Sequence, residues 1–182
     1  MKVIVFLAPG FEEVEALTVV DYLRRVESIQ VEMVSIANGP MVSGSHLIEV
    51  KADKTIGELE KLEDYAAVII PGGMPGAANL RDDPRVIKVL QEMNASGKVV
   101  AAICAGPIVL EKASLIDGKK VTSYPGFEKD LPNSIYQETA VVHDGNVITS
   151  RGPAKAVDFA LELVATLAGE NEAETLRKNI LY

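Results

Sequence analysis

Three features of the 182-residue sequence predict a three-layer α/β sandwich built on a mainly parallel sheet. Strand-length apolar runs recur at 2–7, 66–70 and 99–103, helical apolar spacing separates them, and glycine- or proline-bearing loops stand where the runs stop. Strands that alternate with helices pair in parallel and carry helices on both faces of the sheet.

Lys2 to Leu7 is rich in β-branched residues and ends at Ala8-Pro9-Gly10, which reads as strand and loop. A helix over Val14 to Val26 follows from the spacing of Val14, Leu17, Val20 and Leu23. Gln30 to Ala37 is a second strand, stopped by Asn38-Gly39-Pro40. Extended pieces at Met41-Val42 and Leu47 to Val50, split by Ser43-Gly44-Ser45, form a hairpin excursion suited to a dimer surface. After a short helical stretch at Ile56 to Leu62, the fully apolar run 66–70 suits a strand buried on both faces, and it meets Pro71-Gly72-Gly73-Met74-Pro75-Gly76.

Asp82-Asp83 ahead of Pro84 marks a helix start, and apolar spacing carries that helix to Ser96. The run Val99 to Ile103 then breaks at Cys104-Ala105-Gly106-Pro107, the grammar of strand, sharp turn and helix, with the helix reaching Lys112. Lys120 to Ser123, Thr139 to Val142 and Val147 to Ser150 read as further strands, the last two joined by the Asp144-Gly145 turn. Helices over Pro153 to Leu167 and Glu172 to Ile180 complete a chain that shows neither repeats nor a linker, and a single domain over 1–182 is expected.

Composition narrows the function. Hydrophobic residues make up 48% and charged residues 24%, ordinary values for a globular protein. One cysteine excludes an intramolecular disulfide and fits a reducing cytoplasm. The opening apolar run is too short for the core of a signal peptide, and no segment approaches membrane-spanning length. A net charge of −8 with scattered basic residues argues against nucleic-acid binding. Two distant histidines and a single cysteine supply no metal-ligand spacing, the Pro-Gly-Gly loop lacks the ending of a phosphate loop, and no cofactor is expected.

Ligands of open α/β sheets bind at the carboxyl ends of the strands, where the loop 8–15, the loop 71–76 and the Cys104 turn would gather. A free cysteine alone is often only a small buried hydrophobe. At a strand-end elbow it becomes a candidate nucleophile instead, and a following helix favours its thiolate. Glu12 and Glu13 fit a solvated first helical turn. Glu15, bracketed by Val14, Ala16 and Leu17, can point at the sheet end, where burial would raise its pKa and let it move protons. Backbone N–H groups of Gly72, Gly73 and Ala105 could hold an oxyanion. His46 and His143 read as surface turn residues.

Taken together, Gly10-Phe11-Glu12-Glu13-Val14-Glu15, Pro71-Gly72-Gly73, Ala101 to Pro107 and Thr149-Ser150-Arg151-Gly152-Pro153 resemble the ThiJ/PfpI superfamily, and most closely its parkinsonism-associated deglycase branch. The resemblance runs from about Val3 to Leu167. It implies a flavodoxin-like sandwich of the class I glutamine amidotransferase type, a homodimer, a catalytic Cys104 with Glu15 as partner, and an oxyanion pocket around Gly72, Gly73 and Ala105. It also implies glyoxalase or deglycase chemistry on small reactive carbonyls, oxidation sensing at Cys104, or chaperone behaviour. Two departures shape this expectation. Protease-like members carry histidine after the cysteine, where this chain has Ala105, which argues against peptidase activity. Tyr124, a possible substrate contact, stands where members of that branch often have histidine, and a phenol is a poor base at neutral pH.

Overall fold

The computed structural model describes residues 1–59 and 61–182. Its strands are β1 (Lys2–Leu7), β2 (Gln30–Ser35), β3 (Met41–Ser43), β4 (Glu49–Lys51), β5 (Lys54–Thr55), β6 (Tyr65–Ile70), β7 (Val99–Ile103), β8 (Lys120–Val121), β9 (Ile135–Tyr136), β10 (Val141–Asp144) and β11 (Val147–Ser150). The helices are α1 (Glu13–Arg24), α2 (Gly76–Asp82), α3 (Pro84–Ala95), α4 (Pro107–Lys112), α5 (Ala156–Ala168) and α6 (Glu170–Asn179). Seven strands form the central sheet in the order β10-β11-β7-β6-β1-β2-β5. Every neighbouring pair in it is parallel except β10 with β11, the antiparallel edge joined by the turn at Gly145.

Side chains alternate across a strand, so each buried strand feeds two cores. Val3, Val5 and Leu7 of β1, with Ala67 and Ile69 of β6 and Ala101 and Ile103 of β7, pack with α1, α5 and α6. Ile4 and Phe6, with Val68, Ile70, Val100 and Ala102, pack with α2, α3 and α4. Asp83 begins α3 by accepting a 2.9 Å hydrogen bond from the Arg85 amide, with Pro84 at the first helical position.

The three-layer parallel expectation matches this architecture, and four local expectations need correction. Helix α2 was not foreseen: it is seven residues long, starts on Gly76 without a side-chain cap, and offers only Ala77 and Leu80 as large enough apolar anchors, too few to display a period. The helical stretch expected over 56–62 is a 3-10 turn at Ile56–Glu58 and another at Leu62–Asp64, and its residue 60 lies outside the described residues. Pro153–Lys155 is a 3-10 turn, so α5 starts only at Ala156. The strand expected over 139–142 runs from Val141 to Asp144, which puts His143 in an exposed edge strand rather than a turn.

The chain reverses direction across the sheet between β1 and β6, because β1 is followed by β2 on one side and by β6 on the other. The loops leaving β1, β6 and β7 therefore open at one end, beside the switch point where such sheets accept ligands. Fully buried Phe159 of α5 anchors the helical layer that carries α1. Phe159→Ala should cost about 3–5 kcal/mol, read as a lowered urea midpoint with an unchanged m-value.

Candidate functional site

Cys104 follows the last residue of β7 and holds a left-handed backbone, φ 64°. That conformation is strained for a residue with a Cβ and persists only where neighbours enforce it. Here they do so from both sides: the Cys104 N–H donates to the Ser150 carbonyl at 2.9 Å, and its own carbonyl accepts from the Tyr124 N–H at 2.9 Å. Gly106 completes the elbow, since a Cβ there would lie 2.7 Å from the Ile70 carbonyl oxygen and 2.8 Å from that of Ile103.

Two more loops close on this turn. The Glu12 N–H donates to Gly72 O at 2.9 Å and the Gly76 N–H to Gly10 O at 3.1 Å, zipping the loop after β1 to the loop after β6. Their meeting brings Glu15, from the first turn of α1, to Gly72, whose N–H donates to Glu15 Oε2 at 2.9 Å. Gly72 is wedged in the gap: a Cβ on it would fall 2.5 Å from Glu15 Oε2 and 2.6 Å from the Cys104 Cβ. Any side chain at position 72 would force the carboxyl and the thiol apart.

The electrostatics of the pair follow from its burial. Glu15 is 0% exposed. Burial pushes its carboxyl up to about 7, against the lowering effect of hydrogen bonding with Cys104 and with the Gly72 N–H, and the charge of Glu12 adds to the rise. Burial likewise pushes the Cys104 thiol up, and the Glu15 charge and hydrogen bond push it further, while the N–H groups of Ala105 and Gly73 pull it partly back. Glu15 Oε1 is buried and lacks a formed hydrogen bond among the described residues, so the thiol contact is close but not a well-made bond. A proton on that oxygen would let Glu15 donate toward sulfur.

A family model described as the DJ-1/PfpI family matches residues 1–166. The chain belongs to the DJ-1/PfpI family. It is 36% identical over 180 residues to the Drosophila melanogaster protein dj-1beta, covering 98% of this chain and 95% of that one. It is 35% identical over 183 residues to the Danio rerio Parkinson disease protein 7 homolog, covering 99% and 96%. Among solved structures, oxidized Toxoplasma gondii DJ-1 superposes with a TM-score of 0.93 at 37% identity, over 100% of this chain and 98% of that one.

Within this DJ-1/PfpI fold the residues singled out from sequence fall into two groups. Cys104, Glu15, Gly72, Gly73 and Ala105 converge. Gly72 does so in a different capacity from the one expected, because its N–H is already taken by Glu15 and is not free for an oxyanion. The Gly73 and Ala105 N–H groups face the sulfur. Nor is the thiol held low, as a helix start alone would suggest, since burial and Glu15 outweigh the amides. Tyr124 stands at the rim, 47% exposed, with its amide bonded to Cys104.

Glu13 is not solvated, contrary to its expected place in an exposed first turn; it is 3% exposed. Burial alone would raise its carboxyl, but hydrogen bonds from the His46 ring, the His46 amide and the Ile48 amide outweigh burial and bring it down to about 2. His46 in turn sits above its ordinary value because of Glu13 and then Glu12. The group ties the β3–β4 hairpin to the start of α1. Sequence reading missed it because 33 positions separate the partners. Ligand atoms of Glu12, Glu13 and His46 lie within 4.8 Å of one another, so this is also where a cation could be held, although each of the three already has hydrogen-bonding or ionic partners in the cluster. Arg151, Gly152 and Pro153 have no individual role in the sequence reading, yet they line a cleft together with Tyr124, whose ring packs over Gly152. Their signal was a Gly-Pro pair one residue beyond the last parallel strand.

The Glu15 shift carries a stability consequence. The unfolded carboxyl loses its proton near 4.5 and the folded one near 7, so between those values the folded state holds the extra proton and stability falls as pH rises. The full cost, about 2–4 kcal/mol, is present above pH 7 and absent below 4.5. Glu15→Gln should therefore be more stable than the parent at pH 8 and indistinguishable at pH 4, measured by urea unfolding at each pH.

Proposed function

We propose that the protein is a cysteine-dependent enzyme acting on reactive α-oxoaldehydes, with glyoxalase or deglycase chemistry at Cys104. The observation that carries this is the buried Glu15 carboxyl, raised to about 7, against a thiol at a strained elbow. A carboxyl near neutrality can both take and return protons at working pH.

Glu15 takes the thiol proton as sulfur adds to the aldehyde carbon, and it returns that proton to the aldehyde oxygen, giving a hemithioacetal. The N–H groups of Gly73 and Ala105 steady the negative charge as it passes from sulfur to oxygen. Free again, Glu15 removes the hydrogen on that carbon and delivers it to the neighbouring ketone carbon, while the hydroxyl proton of the first carbon passes to the ketone oxygen; the first carbon is thereby oxidised to a thioester and the second reduced to an alcohol. Water then cleaves the thioester, releasing a 2-hydroxy acid and the thiol. On an early hemiaminal between an oxoaldehyde and an amine, the same C–S bond would form as the C–N bond breaks, with the thiol proton leaving on the amine nitrogen. Oxidation sensing asks for a thiol already ionised, and the burial of Cys104 beside Glu15 favours base-assisted carbonyl addition instead.

Methylglyoxal should give lactate, with Cys104→Ala reduced to the uncatalysed rate and Glu15→Gln lowered by roughly 10²–10⁴-fold. Activity of the parent should rise with pH through about 7 as Glu15 ionises. Equal lactate from parent and Cys104→Ala would overturn the assignment, and a protective activity on unfolding clients that survives Cys104→Ala would favour the chaperone alternative.

A homodimer is proposed through the surface around Glu13. Leu47 at the hairpin tip is 85% exposed and also left-handed at φ 64°, an uncommon state for a leucine, and Ile48 and Val14 beside it are exposed too. Clustered apolar surface of this kind marks an interface. Light scattering should give twice the 19.5 kDa chain mass, and Leu47→Glu should shift it toward one chain.

A further inference from the structure

Beside the elbow lies a cleft of about 300 Å³, lined by Tyr124, Pro125, Arg151, Gly152, Pro153, Ala154 and Lys155. Both of its walls are tied to the Cys104 backbone by a hydrogen bond, one directly and one through the preceding residue. The Tyr124 amide donates to the Cys104 carbonyl, and Ser150, which accepts the Cys104 N–H, directly precedes Arg151. Its charged members turn their heads elsewhere: Arg151 reaches Glu138 at 3.6 Å and Lys155 reaches Asp158 at 3.5 Å, leaving carbon surface toward the cleft.

Tyr124 supplies the aromatic wall. Its backbone is fixed on both sides, donating to Cys104 and accepting from the Phe127 N–H at 3.1 Å. Gly152 lets the ring lie close against the opposite strand end, because a Cβ at 152 would be 3.2 Å from the Tyr124 Cδ2. Even so, the ring remains 47% exposed, an aromatic surface on a residue whose amide is bonded to Cys104. For scale, a closed apolar cavity of about 150 Å³ is enough to hold benzene.

We infer that this shelf selects among electrophiles at Cys104, holding an aromatic substituent against Tyr124, so that the preferred substrates are aryl-bearing α-oxoaldehydes rather than methylglyoxal itself. The inference rests on the oxoaldehyde chemistry proposed above for its substrate and on the shelf alone for its selectivity. Phenylglyoxal would add water overall and leave as mandelate, by the same transfer of hydrogen from the aldehyde carbon to the ketone carbon. Tyr124 acts here by binding the substituent and takes no proton.

Two measurements test it. The first is the ratio of kcat/KM for phenylglyoxal over methylglyoxal in the parent, Tyr124→Ala and Tyr124→Phe. The second needs no turnover: intact-mass rates of alkylation of Cys104, the chain's only thiol, by N-phenylmaleimide and N-methylmaleimide, each divided by the rate with free cysteine. The aromatic reagent should be favoured in the parent. The preference should fall by about fivefold or more in Tyr124→Ala, the scale of one lost aromatic contact, and survive in Tyr124→Phe. The loss should appear in KM for the aldehydes. A maleimide preference equal to that of free cysteine, or one untouched by Tyr124→Ala, overturns the shelf even if both aldehydes are consumed. Conversely, a Tyr124-dependent maleimide preference with neither aldehyde consumed upholds the shelf's selectivity and overturns the oxoaldehyde chemistry.

Discussion

One close approach governs the site: the backbone of Gly72 passes between the Glu15 carboxyl and the Cys104 Cβ with no room for a side chain. Everything around it serves that approach. The parallel pairing of β6 with β1 and β7 brings three loops to one end of the sheet, and hydrogen bonds from Glu12 and Gly76 lock the first two together. The third loop is constrained by the sheet itself, because β11 supplies the carbonyl that holds the Cys104 amide. A left-handed cysteine costs of order 1–3 kcal/mol, and the two hydrogen bonds at its backbone explain how the fold sustains it.

The same packing sets the chemistry. Taking a carboxyl and a thiol out of water raises both, and placing them together makes two negative charges in one site costly. The arrangement therefore favours states that keep a proton between Glu15 and Cys104, which suits a reaction that moves protons while sulfur forms and breaks a bond to carbon. A thiol that is reactive only as its neighbour accepts a proton is also guarded against unassisted reaction. Glu15 illustrates a familiar exchange, in which a group that lowers stability at neutral pH is retained at a site where its shifted pKa is useful.

Outside the pair, the hairpin carrying β3 and β4 has little core of its own, yet it is anchored by a buried carboxylate. Glu13 gathers the His46 and Ile48 amides, the Ser45 hydroxyl and the His46 ring. This anchor places apolar Leu47 and Ile48 on the outside next to the first turn of α1, two positions from Glu15 in sequence. The hairpin and the proton-moving residue thus share one short segment of chain.

Strand and helix alternation, the strand-end break at Cys104 and the glycines of the second loop were legible in the sequence because each is written in neighbouring residues. The continuous apolar runs of β1, β6 and β7, buried on both faces, and the Asp83-Pro84 start of α3 are local in the same sense. Helix α2 escaped because seven residues with two apolar anchors show no period, and the 3-10 turns escaped because they have none to show. Within the site, sequence singled out Glu15 as the inward carboxylate, but it could not tell that Gly72 spends its N–H on Glu15, that Glu13 is buried against a hairpin 33 residues away, or that Arg151 and Gly152 line a cleft with Tyr124. The sequence by itself determined which residues stand at strand ends, since hydrophobic periodicity and turn chemistry act over a few positions. Only the tertiary structure decided which donors remain free, which carboxylates lose water and which side chains share a wall, because those properties belong to contacts between segments that the chain keeps far apart.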